Sequence, residues 1–189
     1  MVSVKGGSVN GENGVGVKHY RAGFSLFLIS QAVVFMVLIA VRYLIAGSKV
    51  GPYSQSLGVV ITVVMLISAW LAYSARKAAE HNNGQAIQTR LTGAFWLGVL
   101  AFALVLIMWT VVKNAGYSVT MPSLEVFWVG TGFWLVYVLL GLFLLFAARS
   151  RGRLVGYTPN QHWDLEASSH FWNLVTVGWI ALWIVFFIL

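Results

Sequence analysis

Five long apolar stretches, separated by short polar loops, constrain this chain more than any other feature. A helix of about 20 apolar residues crosses the hydrocarbon core of a bilayer, because that core is about 30 Å thick and a helix rises about 1.5 Å per residue. The stretches cover residues 22–45, 57–75, 91–112, 126–148 and 171–189. A helix satisfies its own backbone hydrogen bonds in lipid. The sequence therefore predicts an all-α polytopic membrane protein, a bundle of five transmembrane helices.

The composition leaves no material for a water-exposed domain. Of the 189 residues, 59% are hydrophobic and 9% are charged, whereas about a quarter of the residues in soluble domains are charged. Residues 1–20 are predicted to form a flexible, Gly-rich cytoplasmic tail rather than a cleaved signal peptide, and residues 21–189 the membrane domain. The chain has no cysteine, which excludes disulfides and thiolate metal sites.

The basic residues alternate between the two sides of the predicted bundle. Nine fall on the N-terminal tail and on the second and fourth loops: Lys5, Lys18, Arg21, Arg76, Lys77, Arg90, Arg149, Arg151 and Arg153. Three fall on the other side: Arg42, Lys49 and Lys113. Because an excess of Lys and Arg marks the cytoplasmic side, we expect the N-terminus in the cytoplasm and the C-terminus outside. The charge is interpreted as a topology signal, and no nucleic-acid partner is expected.

Ionisable residues within membrane spans are by default functional candidates, but here only Arg42 qualifies. It lies at the end of the first span, so we expect its side chain to extend to the outer interface. The four histidines, His19, His81, His162 and His170, fall in loops or at the start of a helix. No catalytic, cofactor-binding or metal-binding residue is therefore predicted. Proton- or cation-coupled transport is disfavoured, whereas a channel or carrier for a small neutral molecule stays an alternative.

Uncharged polar residues are the nearest approach to a site inside the spans. Gln31 lies in the middle of the first span beside Ser30, and Tyr137 shares a face of the fourth span with Trp134. An unsatisfied polar group in hydrocarbon costs roughly 1–3 kcal/mol. We therefore predict that Gln31 and Tyr137 approach each other, and that Gly141 gives a neighbouring helix close access.

The fifth span carries both polar and aromatic residues at helical spacing. Asn173 and Thr176 are one turn apart and are expected to make interhelical hydrogen bonds. Trp172, Trp179 and Trp183 recur at intervals of seven and four, which predicts a packed seam along one side of the helix rather than a cofactor site.

These residues are similar to three motifs of one family, subunit III of the haem-copper terminal oxidases in its short five-helix form. In the first span, Leu26 to Gln31 followed by Phe35 resembles the family's apolar run that ends in Ser-Glu and is followed by Phe. Gln31 stands at the place of the family's membrane-embedded Glu. The resemblance covers about residues 23–189.

The other two motifs match the family in residue spacing but differ from it at their ionisable positions. Thr131 to Val138 with Gly141 resembles Thr-Gly-x-His-Gly-x-His-Val-x-x-Gly, with Trp134 and Tyr137 where the two His stand. Phe171 to Trp179 resembles the closing Tyr/Phe-Trp-His-Phe-Val-Asp-Val-Val-Trp. There Asn173 replaces His and Thr176 replaces Asp. The family-motif positions, expected to be structural, are Gln31, Thr131, Gly132, Trp134, Tyr137, Gly141, Trp172, Asn173, Thr176 and Trp179.

The resemblance implies a non-catalytic integral subunit of a respiratory haem-copper oxidase in a prokaryotic-type inner membrane. Haem and copper would belong to a partner catalytic subunit of a cytochrome c or quinol oxidase, and phospholipid would be a further partner. In the family the embedded carboxylate is associated with proton uptake and with durability of the catalytic subunit. The replacements here imply that this chain supports durability but not proton uptake. A nitric-oxide-reductase accessory protein of the same fold is the alternative within this class.

Overall fold

The computed structural model describes residues 10–47, 53–81, 83–115, 122–157 and 162–188. These ranges hold five helices and no strand: α1 Asn10–Ala46, α2 Gln55–Glu80, α3 Gly84–Asn114, α4 Pro122–Leu154 and α5 Trp163–Phe187. All five are long and apolar enough to span a membrane. The predicted all-α architecture with five membrane helices is confirmed.

Each helix extends beyond its predicted span, and the largest extension is at the start of α1. The apolar part of α1, Tyr20–Ile45, agrees with the predicted span, but its backbone is helical from Asn10. Extending a formed helix costs less than starting one, so the weakly polar stretch continues the membrane helix. Residues 1–9 lie outside the described ranges, and the flexibility of the tail stays a prediction. At the other end of the chain, residues 163–170 form the first turns of α5, ahead of the predicted span 171–189.

Four of the helices form a closed ring and the first packs outside it. Within the described residues, α2 contacts α3, α3 contacts α4, α4 contacts α5 and α5 contacts α2. Helix α1 packs against α4 and α5 alone in that part of the chain. As a result α1 is the least buried of the five helices.

Polar contacts show which helix ends lie together. Arg21 at the start of α1 binds Glu166 at the start of α5, and Arg76 near the end of α2 binds His170. We call this end of the bundle the basic end, because its described residues include Arg21, Arg76, Lys77, Arg90, Arg149, Arg151 and Arg153. The opposite end includes the start of α2 and the end of α5, where Gln55 Nε2 lies 3.5 Å from the carbonyl oxygen of Phe187.

Candidate functional site

The middle of α1 is joined to α4 by one polar contact. The Tyr137 hydroxyl donates to Gln31 Oε1 at 2.5 Å, and Gln31 Nε2 donates to Ser30 Oγ at 3.3 Å. Phe35, one turn further along α1, contacts the Tyr137 ring edge-on, with 5.1 Å between ring centroids. The predicted approach of Gln31 and Tyr137 is confirmed. It places the residue that replaces the family's Glu against one that replaces a family His.

This contact predicts a measurable coupling between the two side chains. Gln31→Leu would leave the Tyr137 hydroxyl in hydrocarbon without its acceptor, and Tyr137→Phe would leave the amide oxygen without its donor. We expect each single substitution to destabilise the docking of α1 by about 1 kcal/mol, and the double substitution to cost less than their sum by roughly 0.5–1.5 kcal/mol. Unfolding of the detergent-solubilised protein in a double-mutant cycle measures this coupling, and strictly additive effects would contradict it.

In α4, the other motif residues are engaged by neighbouring helices. Trp134 is fully buried, and its indole Nε1 donates to the carbonyl oxygen of Val175 in α5 at 2.9 Å. Thr131 accepts from Trp109 Nε1 of α3 at 2.9 Å and donates to the carbonyl oxygen of Phe127 at 2.6 Å. Gly132 lies beside the Trp109 ring. None of these contacts requires a charge.

The motif residues in α5 divide between the bundle interior and its surface. Thr176 is buried, but its hydroxyl donates to the carbonyl oxygen of Trp172 in the same helix at 3.0 Å. The part-exposed Asn173 makes no side-chain hydrogen bond within the described residues. The expectation of interhelical bonds is therefore wrong for both residues. A threonine hydroxyl in a helix reaches the carbonyl one turn back more easily than it reaches another helix.

Trp172, Trp179 and Trp183 pack against the bundle core as the predicted seam, and hydroxyl groups of α2 accept the N–H groups of the first two. Trp172 Nε1 donates to Ser68 Oγ at 2.9 Å, and Trp179 Nε1 donates to Thr62 Oγ1 at 3.0 Å. Trp179 also contacts Trp134 across the α4–α5 interface, with 4.5 Å between ring centroids. Trp172 and Trp179 therefore bury their apolar surface and satisfy their donors, whereas the buried Trp183 Nε1 has no hydrogen-bond partner within the described residues.

Glycines on the facing helices make room for these large rings. A Cβ atom at Gly141 of α4 would lie 2.5 Å from Trp172 Cε3, and one at Gly98 of α3 would lie 2.6 Å from Trp172 Cη2. The close access predicted at Gly141 is confirmed, and the occupant is the Trp172 ring. Gly98 does the same on the other side of the ring, and the sequence motifs did not indicate it.

Arg42 extends toward the end of its span, as expected, but its side chain is buried in the bundle rather than exposed. Its side chain is 1% exposed, and Nη1 donates to the carbonyl oxygen of Gly47 at 2.6 Å. The last carbonyls of a helix lack intrahelical donors, and the turn at Gly47, with φ of 62°, brings one within reach of Arg42. Burial raises the pKa of nearby Tyr53 to about 12, while the Arg42 guanidinium acts to lower it.

At the basic end, ion pairs and an arginine–histidine contact link α1, α2, α4 and α5. Arg21 Nη2 lies 2.8 Å from Glu166 Oε2, and Arg151 pairs with Asp164. Arg76 Nη1 donates to His170 Nε2 at 3.0 Å. The sequence analysis missed these pairs, because the residues are far apart in the chain and their spacing carries no signal. The ion pairs are partly exposed, which limits each to roughly 0–1 kcal/mol of stability.

A cavity of about 300 Å³ opens at the basic end beside these pairs. It lies between α1, α4 and α5, and its lining includes Phe24, Leu144, Ala167 and Arg151. The wall is largely apolar, and its charged groups are the paired Arg151 and Asp164. Across the described ranges, no three His, Asp or Glu side chains come together in a group that could hold a metal ion.

The motif residues of this helical membrane bundle thus make contacts between uncharged groups. Comparison with known proteins identifies the family. A sequence model described as cytochrome c oxidase subunit III matches residues 3–189. The chain belongs to the cytochrome c oxidase subunit III family. As a subunit III, it is a multi-pass membrane protein and a non-catalytic subunit of a terminal oxidase.

Individual relatives of this subunit III are distant in sequence. It is 25% identical over 186 aligned positions to cytochrome c oxidase subunit 3 of Synechocystis, covering 88% of this chain and 74% of the relative. For the protein of the same name from Pyricularia grisea the identity is 26% over 191 positions, covering 94% and 71%. For that of Locusta migratoria it is 26% over 125 positions, covering 65% and 46%.

Proposed function

We propose that this subunit III stabilises the catalytic oxidase subunit through helix packing and lipid organisation, and takes no part in proton transfer. The contact between Gln31 and Tyr137 supports this proposal most strongly. Both side chains are neutral and stand at positions where the family motifs have Glu and His. The hydroxyl and the amide satisfy each other without a charge. A polar contact is thus made at this position without a titratable group.

The other replacements support the same role. Trp134 and Thr176 stand where the motifs have His and Asp, and each donates to a backbone carbonyl. Proton relays in membranes depend on chains of ionisable residues. Indole N–H and threonine O–H groups satisfy these carbonyl oxygens but do not titrate in the physiological range.

The association with the catalytic subunits of an oxidase follows from family membership. We further propose that haem and copper are held by that partner, and that phospholipid is bound by this subunit. Support for lipid comes from the cavity at the basic end, where a largely apolar wall would suit an acyl chain; the charge of Arg151 in that wall is already matched by Asp164. We place the protein in a prokaryotic-type inner membrane with the basic end in the cytoplasm; a reporter fused to the C-terminus should then be accessible from outside.

Two other functions receive less support. A small-molecule channel would need a polar path across the bilayer, whereas Gln31 and Tyr137 are bonded to each other at one depth and Asn173 stands apart on α5. The relatives are named as cytochrome c oxidase subunits rather than as accessory proteins of nitric oxide reductase.

Gentle solubilisation of membranes tests the proposal. We expect the chain to migrate with a haem-containing complex in native electrophoresis, and expect the isolated chain to show no haem absorption. Migration of the chain alone, in membranes that contain an intact oxidase, would contradict the proposed association.

Restoring the family's carboxylate is not expected to restore proton uptake. Gln31→Glu would introduce one titratable group, but Trp134, Tyr137 and Thr176 would still interrupt any relay beyond it. We expect proton uptake by the complex to change by less than about twofold, because a single group cannot complete a path. Stopped-flow measurement with a pH indicator checks this, with Gln31→Leu as the uncharged control. A rise of tenfold or more would show that the remaining residues suffice.

A further inference from the structure

The face of α4 between α1 and α3 is exposed along most of its length. Its residues recur at intervals of four, three, four and three, and their side chains are 37–67% exposed. We call them the α4 stripe: Val129, Phe133, Val136, Leu140 and Phe143. A repeat of alternating threes and fours is the pattern that a second helix packs against.

The neighbouring helices turn this stripe into the floor of a groove. Tyr137 points from α4 to α1, and Gly132 lies against Trp109 of α3. At 100° per residue the stripe occupies the face between these two contacts. Helices α1 and α3 do not contact each other within the described residues, so they form walls on either side. Helix α2, by contrast, contacts only its two neighbours in the ring, α3 and α5, and has no contact with α1 within the described residues.

A polar donor on α1 lies at the level of the middle of the stripe. Gln31 is bonded to Tyr137, which adjoins Val136 in sequence, and is therefore at that level of the bundle. Its amide nitrogen has two hydrogens, and the bond to exposed Ser30 uses one. No acceptor for the second lies within the described residues.

Lipid chains carry no hydrogen-bond acceptor, so they would leave this amide unsatisfied in the membrane interior. A protein helix can offer a hydroxyl or amide oxygen at the right depth. We infer that the groove over the α4 stripe seats a transmembrane helix of the catalytic oxidase subunit, with an acceptor that meets the Gln31 amide. This inference rests on the proposed function and adds to it the face through which the subunits join.

Photo-crosslinking in the native complex tests the docking face. The photoreactive residue p-benzoyl-phenylalanine is placed at Val136 or Phe143 of the stripe, and as controls at Leu66 or Trp70 on the exposed face of α2. We expect crosslinks to the haem-containing subunit from the two stripe positions and none from the two controls. Crosslinks from α2 only, or none from the stripe in a complex that still co-purifies, would overturn the inference while leaving the proposed function intact.

A pair of truncations covers the case in which the photoreactive variants do not assemble. Phe143 and Trp70 are 67% and 66% exposed, so truncating either should disturb the bundle equally little. We expect Phe143→Ala to weaken retention on the catalytic subunit about tenfold, as for an aromatic anchor at an interface, and Trp70→Ala to leave it unchanged. Equal retention of the two variants would overturn the inference. Failure of the unmodified chain to co-purify at all would instead refute the proposed function.

Discussion

Replacing Gly141 with valine is expected to destabilise the subunit by about 3 kcal/mol, at the upper end of the cost of overpacking a protein core. The first added atom would lie 2.5 Å from Cε3 and 2.7 Å from Cζ3 of Trp172. The ring cannot move away, because Gly98 contacts its other edge and Ser68 accepts its N–H at 2.9 Å. Helix α4 would have to separate from α5.

Gly23→Val is the matched control for this substitution. Gly23 lies on the exposed side of α1, and a Cβ atom there would have no neighbour within 4 Å. The same side chain is thus added without a clash. The midpoint of thermal unfolding of the solubilised protein should fall for Gly141→Val and stay near the unmodified value for Gly23→Val. Equal midpoints for the two variants would show that the Trp172 ring can move.

Restoring a histidine at Trp134 is expected to cost about 2–4 kcal/mol, although the family motif has histidine there. Trp134 is fully buried, donates to the carbonyl oxygen of Val175 and packs on Trp179. Imidazole is much smaller than indole, so the substitution would leave a cavity in the space that the indole ring now fills. A polar ring nitrogen would also be buried without a second partner.

Trp134→Phe is a comparison variant that loses the same hydrogen bond but less volume. Phenylalanine fills more of the site than histidine and buries no polar nitrogen, so we expect a smaller cost of about 1–2 kcal/mol. Chemical unfolding of both variants in the same detergent measures the difference. If Trp134→His were as stable as the unmodified protein, the core around Trp179 would have to repack more freely than these contacts allow.

The architecture was predictable because the bilayer fixes its main dimensions. Membrane thickness determines the length of each span, and the cost of unsatisfied polar groups in lipid predicts that Gln31 and Tyr137 meet. The spacing of Trp172, Trp179 and Trp183 likewise predicts a single packed face. These inferences need only the spacing of residues along a helix and their depth in the membrane, and both can be read from the sequence.

The remaining contacts depend on how the helices turn toward one another. The burial of Arg42 requires a carbonyl from the turn at Gly47, and the hydrophobic periodicity of the sequence does not indicate that contact. Gly98 matters only because Trp172 of another helix lies against it. The partners of the residues at the basic end likewise follow from packing. Side-chain hydroxyls add an ambiguity of their own, since Thr176 could bond within its helix or between helices.

We propose that this subunit preserves the catalytic subunit and does not move protons or electrons itself. Comparing the oxidase with and without this chain during continuous turnover, with initial rate and active lifetime followed together, tests this proposal. We predict that the initial rate changes by less than about twofold, whereas the lifetime shortens severalfold as the catalytic subunit loses its packing partner. An initial rate that falls tenfold with an unchanged lifetime would contradict the claim, because it would assign the chain a direct part in the reaction.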